Sequence, residues 1–327
     1  LCYNVFIMNN EIQVFLNKLS EEFFLFAPQQ DGAVINIKEV RDIGDVDWSG
    51  RMPTNTWKAL FLPAREKMFD ISDGRLVKSK TSQPKIAAIG VNVVDLKALT
   101  LLELVFSRDV YYQERRCNTL IIGYSSSWPN DYKKYKIFSH NFEEDILEHL
   151  IFDIFIAQFA VGRMKIYSGS EKGQHILEEG GIKDYEHIEF AGPISEKGPD
   201  KKMLLLKKKM ESSQGKRIWH ELNKICIACG KCSINCPTCF CFDLEDSVDP
   251  DNPERVRKWG SCFYNDFSLV AGGGKELDTV SKKIFFWYYH KFVRIPFEYM
   301  MPGCVGCGRC SKVCPVGIKI EEVLKKV

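Results

Sequence analysis

The sequence predicts a mixed α/β N-terminal domain over residues 1–198, followed by a smaller, α-rich C-terminal domain over residues 199–327. Three observations predict this division. Strand-like and helix-like periodicities alternate through the first part of the chain. Gly, Pro and charge then replace periodicity from Ala191-Gly192-Pro193 to Pro199-Asp200. Beyond that break, one cysteine pattern occurs twice: Cys226-x2-Cys229-x2-Cys232-x3-Cys236-Pro237 and Cys304-x2-Cys307-x2-Cys310-x3-Cys314-Pro315.

The elements follow in order. Residues 11–19 carry helical spacing at Ile12, Phe15, Leu16 and Leu19, with Asn10 available as N-cap. Residues 23–26 and 33–37 read as short strands around a turn at Gln29-Gln30-Asp31-Gly32. Pro84 precedes a strand over residues 85–91, and residues 95–106 then read as a buried helix. Cys117 and Asn118 lead into a further strand over residues 119–123, which makes strand, helix and strand a βαβ crossover. Residues 141–150 have a helical pattern, and residues 153–160 and 163–167 a hairpin about Val161-Gly162. Residues 201–224 read as one lysine-rich helix, whose charge run is either a solvated face or a docking face for an acidic partner.

The doubled cysteine spacing is that of bacterial ferredoxins holding two 4Fe–4S clusters. In that pattern the first three thiolates of a run bind one cube, and the fourth, followed by Pro, binds the other. One cluster is therefore assigned to Cys226, Cys229, Cys232 and Cys314, and the other to Cys304, Cys307, Cys310 and Cys236. Zinc would take two CxxC pairs and leave the third and fourth cysteine of each run unexplained. A disulfide framework suits a small secreted domain, not a 327-residue chain with 13 cysteines and no secretory pattern. Gly230, Gly306 and Gly308 are expected to let backbone amides approach the sulfurs, and Ile227, Ala228 and Val305 to keep water away.

Between the runs lie 67 residues, 237–303, an insert far longer than a minimal ferredoxin needs. It passes from an acidic stretch to Trp259-Gly260-Ser261-Cys262, then to a glycine run and an aromatic segment over residues 285–292. The aromatic segment is expected to pack beside the clusters as core. Cys2, Cys117, Cys239, Cys241 and Cys262 are left over, either as small buried apolar residues or, for the last three, as neighbours that tune the clusters.

Composition narrows the function classes. Net charge is +2, which argues against nucleic acid as a partner, and no apolar run is long enough to span a bilayer. A cytoplasmic, reducing location is expected. There is no Walker loop, no GxGxxG fingerprint, no Ser–His or Cys–His pair and no paired-carboxylate constellation in the sequence. An electron-transfer role therefore stands ahead of an independent enzyme whose N-terminal domain binds a small molecule.

An ordered set of stretches carries a family likeness. They are Pro63-Ala64-Arg65-Glu66-Lys67-Met68-Phe69, Gly90-Val91-Asn92-Val93-Val94-Asp95-Leu96, and Tyr111-Tyr112 through Asn118-Thr119-Leu120-Ile121-Ile122-Gly123. Further on come Cys226-Ile227-Ala228-Cys229-Gly230, Cys236-Pro237-Thr238-Cys239-Phe240-Cys241, Trp259-Gly260-Ser261-Cys262, Ala271-Gly272-Gly273, and Cys304 through Cys310. The chain resembles the iron–sulfur β subunit of soluble archaeal NiFe hydrogenases (sulfhydrogenases) and the related A subunit of anaerobic sulfite reductase. The resemblance implies a non-catalytic subunit that relays single electrons between a flavin- and NAD(P)-binding subunit and a catalytic one. That catalytic partner is a NiFe hydrogenase small subunit or, alternatively, a sulfite reductase. Many relatives have a further cysteine where this chain has Val94, and more where it reads Tyr124-Ser125-Ser126-Ser127-Trp128-Pro129, so no N-terminal metal site is expected. Gly260 also stands where an Asp is common, and Gly274 where a His is usual.

Overall fold

The computed structural model of the chain describes residues 10–72, 74–79, 84–126, 144–160, 163–194, 199–247 and 253–327. Its strands are β1 (Phe24–Asp31), β2 (Val34–Glu39), β3 (Arg65–Ser72), β4 (Arg75–Lys78), β5 (Ile86–Val91) and β6 (Thr119–Ser126). They continue with β7 (Ile154–Ala160), β8 (Arg163–Ser168), β9 (Glu186–His187), β10 (Phe242–Ser247) and β11 (Glu254–Trp259). Two sheets result, with orders β2-β1-β5-β6-β7-β8-β9 and β10-β11-β3-β4. Each lies in its own compact unit. The first unit comprises Leu1–Trp57, Gln83–Gly198 and Val305–Cys307, and the second Lys58–Ser82, Pro199–Cys304 and Gly308–Val327. Two segments thus cross the linear division expected between residues 198 and 199.

In the first unit, β1, β5, β6 and β7 are parallel neighbours, and β2 and β8 pair antiparallel on either side. The expected crossover joins β5 to β6 through the helix Val93–Val105, capped by Asn92, whose side chain accepts from the Asp95 amide at 2.9 Å. A second helix, Val110–Asn118, follows it within the same connection. Its run of Tyr, Gln, Glu and Arg has little apolar periodicity, which hid it from pattern reading. The turn placed at residues 29–32 is corrected to Gly32-Ala33, because β1 runs on to Asp31 in register with β2. Only part of the helix expected over residues 141–150 lies within the described residues, where Glu144–His149 is a 3-10 helix. The hairpin β7–β8 is as expected, its turn lying outside the described residues. Leu16, Ala27, Ala87, Ile89, Leu120, Ile122 and Ile154 form the heart of the core. Buried Asp153 ties that core together, accepting from the Ile121 amide and the Ser170 hydroxyl, each at 2.8 Å.

The second unit contains an antiparallel sheet that the α-rich expectation did not include. Strand β11, from the insert, pairs with β3, from the Pro63–Phe69 stretch. Across that pair Arg257 faces Glu66 at 2.6 Å, both side chains buried. The Trp259 indole donates to the Leu62 carbonyl at 2.8 Å and fixes the end of the same pairing. The lysine-rich stretch is two helices, Lys201–Glu211 and Arg217–Asn223, not one. Gly215, with φ of 82°, lies in the break between them. Met203 and Met210 are buried while Lys201, Lys202, Lys208 and Lys209 are exposed. Among the described residues no helix is long and apolar enough to cross a membrane.

The buried pair of Arg257 and Glu66 yields a direct expectation. Glu66→Ala leaves a guanidinium buried without its carboxylate, which costs about 3–5 kcal/mol. Denaturant unfolding should show that loss, whereas Lys282→Ala, which breaks an exposed pair with Asp278, should change stability by less than about 1 kcal/mol.

Candidate metal centre

The two cysteine runs adopt the same local backbone. In the first, Ala228 and Gly230 lie in the left-handed region, with φ of 52° and 73°. In the second, the corresponding Gly306 and Gly308 have φ of 69° and 73°. Each later glycine caps a short helix, Lys231–Ile234 and Arg309–Val313 respectively, which carries the third cysteine of its run. A left-handed residue flanking the second cysteine on each side curls the chain tightly, so that successive thiols turn toward one side of the loop. The Ala228 amide then donates to Cys226 Sγ at 3.4 Å, and the Ile318 amide to Cys314 Sγ at 3.3 Å.

Cysteines of both runs meet at one cavity in the second unit. Cys226, Cys229, Cys232 and Cys314 line it, and Cys310 borders it as well. Its walls are apolar: Leu222, Phe263, Ile284, Trp287 and Ile320 among them. Burial, reinforced by the neighbouring thiols, pushes Cys232 up to about 12, and burial also raises Cys226. Such thiols stay protonated unless a cation takes the proton's place. Among the described residues no three His, Cys, Asp or Glu side chains converge on a point as ligands of one metal ion do. A 4Fe–4S cube asks for a different arrangement, since each thiolate binds its own iron and the donors surround a space. Five soft sulfurs around an apolar cavity, more than the four donors a cube needs, fit that group.

Trp259-Gly260-Ser261-Cys262 covers the first loop. Ser261 Oγ lies 2.6 Å from Ser233 Oγ, and the Ser233 hydroxyl also donates to the Gly230 carbonyl at 2.9 Å. Lys283, buried on the helix Val280–Tyr289, donates to the Phe263 carbonyl at 3.0 Å and holds the cover in place.

A second group of sulfurs surrounds Cys236. Cys236 Sγ lies 3.1 Å from both Lys291 Nζ and Thr238 Oγ1. A hydrogen bond from Cys239 and the nearby charge of Lys291 together hold the Cys236 thiol well below the usual range. Cys239, as the donor, is raised. Burial works against the charge of Lys291, and the sulfurs of Cys236, Cys239 and Cys304 outweigh it, holding the ammonium well above the ordinary lysine range. Lys58 grips the loop from outside, donating to the Ile234 and Cys239 carbonyls at 3.1 and 3.0 Å, 4.1 Å from the Trp259 ring. Cys304 is buried, and Cys307 is buried with Val305 against Met52, Val94 and Ala98 of the first unit.

Several expectations are corrected at the residue level. Ile227 lines the first cavity but is 62 % exposed, whereas its counterpart Val305 is 2 % exposed. Cys117 is exposed, not a buried apolar residue, and Cys2 lies outside the described residues. Sequence reading missed Lys58, Lys283 and Lys291 altogether. The signal for the last was a charge inside the aromatic run of residues 285–293, which a solvated lysine would not join.

The left-handed turns make the loop testable. A Cβ on Gly230 would come within 2.8 Å of Tyr264 Cε1 and 2.9 Å of Ser261 Oγ. Gly230→Ala should therefore destabilise the chain by about 2 kcal/mol or more, from left-handed strain plus the clash. Ala228→Gly removes similar strain without any clash and should be neutral or stabilising by up to about 1 kcal/mol. Unfolding midpoints of anaerobically purified variants check both.

Residues 225–318 match the family model of the 4Fe–4S dicluster domain. The whole chain is similar to sulfhydrogenase 2 subunit beta of Pyrococcus furiosus, at 28% identity over 337 residues, covering 96% of this chain and 95% of that one. It is also similar to F420-dependent formate dehydrogenase subunit beta of Methanocaldococcus jannaschii, at 26% identity over 179 residues, covering 49% of this chain and 40% of that protein. No solved structure gives a significant match. The likeness read from the sequence is thus borne out: the chain carries a 4Fe–4S dicluster domain and resembles the sulfhydrogenase β subunit along nearly its whole length.

Proposed function

We propose that this chain relays single electrons through two 4Fe–4S clusters, between a flavin- and NAD(P)-binding subunit and the catalytic subunit of a NiFe hydrogenase. The observation that carries the reading is the cavity where three cysteines of the first run meet Cys314 of the second. Cys226, Cys229, Cys232 and Cys314 would hold one cluster, and Cys304, Cys307, Cys310 and Cys236 the other. When bound, such a cluster accepts and returns one electron with little rearrangement.

The chain's own residues supply the surroundings. Leu222, Phe263, Ile284, Trp287 and Ile320 keep water from the first cavity. The Ala228 and Ile318 amides present N–H groups to the sulfurs of Cys226 and Cys314. Cys229 and Ile227 are exposed, so this loop offers a face at which a partner can approach. Similarity to a hydrogenase subunit along nearly the whole chain, and to a formate dehydrogenase subunit along half of it, supports a module that serves a separate catalytic protein.

Three measurements bear on this. Anaerobically purified chain should hold about eight irons and about eight sulfides, the content of two cubes. A content near twelve would refute the count. Cys314→Ala should damage the cluster of Cys226, Cys229 and Cys232 first, and spectroscopy showing damage only to the other would refute crossed ligation. In the assembled complex, Cys307→Ala should abolish electron flow from NAD(P)H to the terminal acceptor while each partner stays active with artificial dyes. Full coupled activity in that variant would end the relay reading.

A further inference from the structure

We propose that Lys291 is a built-in cation that raises the reduction potential of the cluster held by Cys236. This rests on the ligand reading above but goes beyond it, since nothing about ligation requires a lysine here.

The local fold delivers the side chain by an unusual route. The aromatic helix Val280–Tyr289 widens into a π-helix over His290–Arg294, where Lys291, Phe292 and Val293 are all buried. Three successive inward residues span about 200°, a little over half a regular helical turn and more than one face holds. π-helical turns are rare and are frequently found at functional sites. The amine of Lys291 reaches Cys236 Sγ at 3.1 Å, Thr238 Oγ1 at 2.9 Å and the Gly303 carbonyl at 3.1 Å.

That geometry fixes the donor count. Thr238 already gives its own proton to the Gly303 carbonyl at 2.7 Å, so its oxygen can only accept from Lys291. The Gly303 carbonyl also only accepts. With Cys236 as a thiolate ligand its sulfur also only accepts, so all three protons of an ammonium are used and a neutral amine would be one short. Gly303 itself stands directly before Cys304, and a Cβ there would collide with the Lys291 carbonyl, so the helix and the second cysteine run touch backbone to backbone.

A buried ammonium is expensive unless a negative charge compensates it. A cube held by four thiolates is an anion that gains one more negative charge on reduction. A fixed cation against one ligand sulfur therefore stabilises the reduced state more than the oxidised one. A purely structural lysine would tie Thr238 and Gly303 together without moving the potential.

The test uses the full chain, purified anaerobically, with EPR-monitored redox titration and iron analysis. In Lys291→Gln one of the two clusters should show an at least tenfold lower ratio of reduced to oxidised form at fixed solution potential, about 59 mV for one electron. Lys291→Arg, which keeps the charge, should stay within about threefold of the parent chain. Unchanged potentials in Lys291→Gln at full iron content would overturn the proposal and leave the ligand reading intact. A parent chain with fewer than two clusters, or Cys236→Ala with both clusters undamaged, would overturn the ligand reading instead. Should Lys291→Gln lose a cluster, the unsubstituted chain decides. Labelled with ¹⁵N-lysine and reduced, it should give a lysine nitrogen coupling in pulsed EPR. The absence of that coupling would overturn the proposal, however the variants fold.

Discussion

A chain that wraps thiols around a space runs largely outside helix and strand, and its buried carbonyls must find donors elsewhere. The C-terminal unit depends on how that demand is met. Three buried lysines meet it. Lys58 serves the Ile234 and Cys239 carbonyls, Lys283 the Phe263 carbonyl and Lys291 the Gly303 carbonyl. An ammonium suits this work because it has three donors and no acceptor on a flexible stem. Each reaches a carbonyl that no ladder serves, and each ties a cysteine-bearing or covering loop to a helix. A leucine could fill the same volume but would take these donors from the Ile234, Cys239 and Phe263 carbonyls, at roughly 1–3 kcal/mol apiece.

The second demand is closure. Cys226 and Cys314 line one cavity, so the 67-residue insert must leave the site and return to it. Closing a loop of that length costs only ~4 kcal/mol of chain entropy by the logarithmic rule. The insert then builds structure of its own: β10 and β11 join β3 and β4, and the aromatic helix walls the cavity. The excursion also explains why Trp259-Gly260-Ser261-Cys262 lies over the first cysteine loop, since it follows directly on the strand that pairs with β3.

How much of this was legible in the sequence depended on the range of the signal. The cysteine runs were readable because their spacing is local, and so was the β5–β6 crossover, whose apolar strands and helix are adjacent in the chain. The pairing of Glu66 with Arg257 was not readable: it joins residues far apart in sequence, and neither strand alternates cleanly. The lysines were hidden for a different reason. Lysine is a surface residue by habit, and Lys58 and Lys283 each stand at the edge of an apolar run, where a lysine can equally lie at the surface, so only the fold reveals their burial. The break at Gly215 was marked by Ser212-Ser213-Gln214-Gly215, yet the strong lysine and leucine pattern on one side outweighed it.

Two runs of equal spacing and equal backbone turns do not make two equal sites. Ile227 and Val305 occupy the same place in their loops, yet one is exposed and the other buried. The first run keeps Cys229 at the surface, while Cys236, Cys304 and Cys307 are buried. Exposure and hydrogen bonding to the sulfurs both move a cluster's potential. Solvent at the exposed edge of the first loop, at Cys229, stabilises added negative charge, while burial of the second disfavours it, and a buried ammonium opposes that penalty. An apolar enclosure alone would make the second site hard to reduce and a poor stepping stone. On the relay proposed above, a cation inside it would bring the two sites closer in potential, which two one-electron sites in series require if neither is to trap the electron.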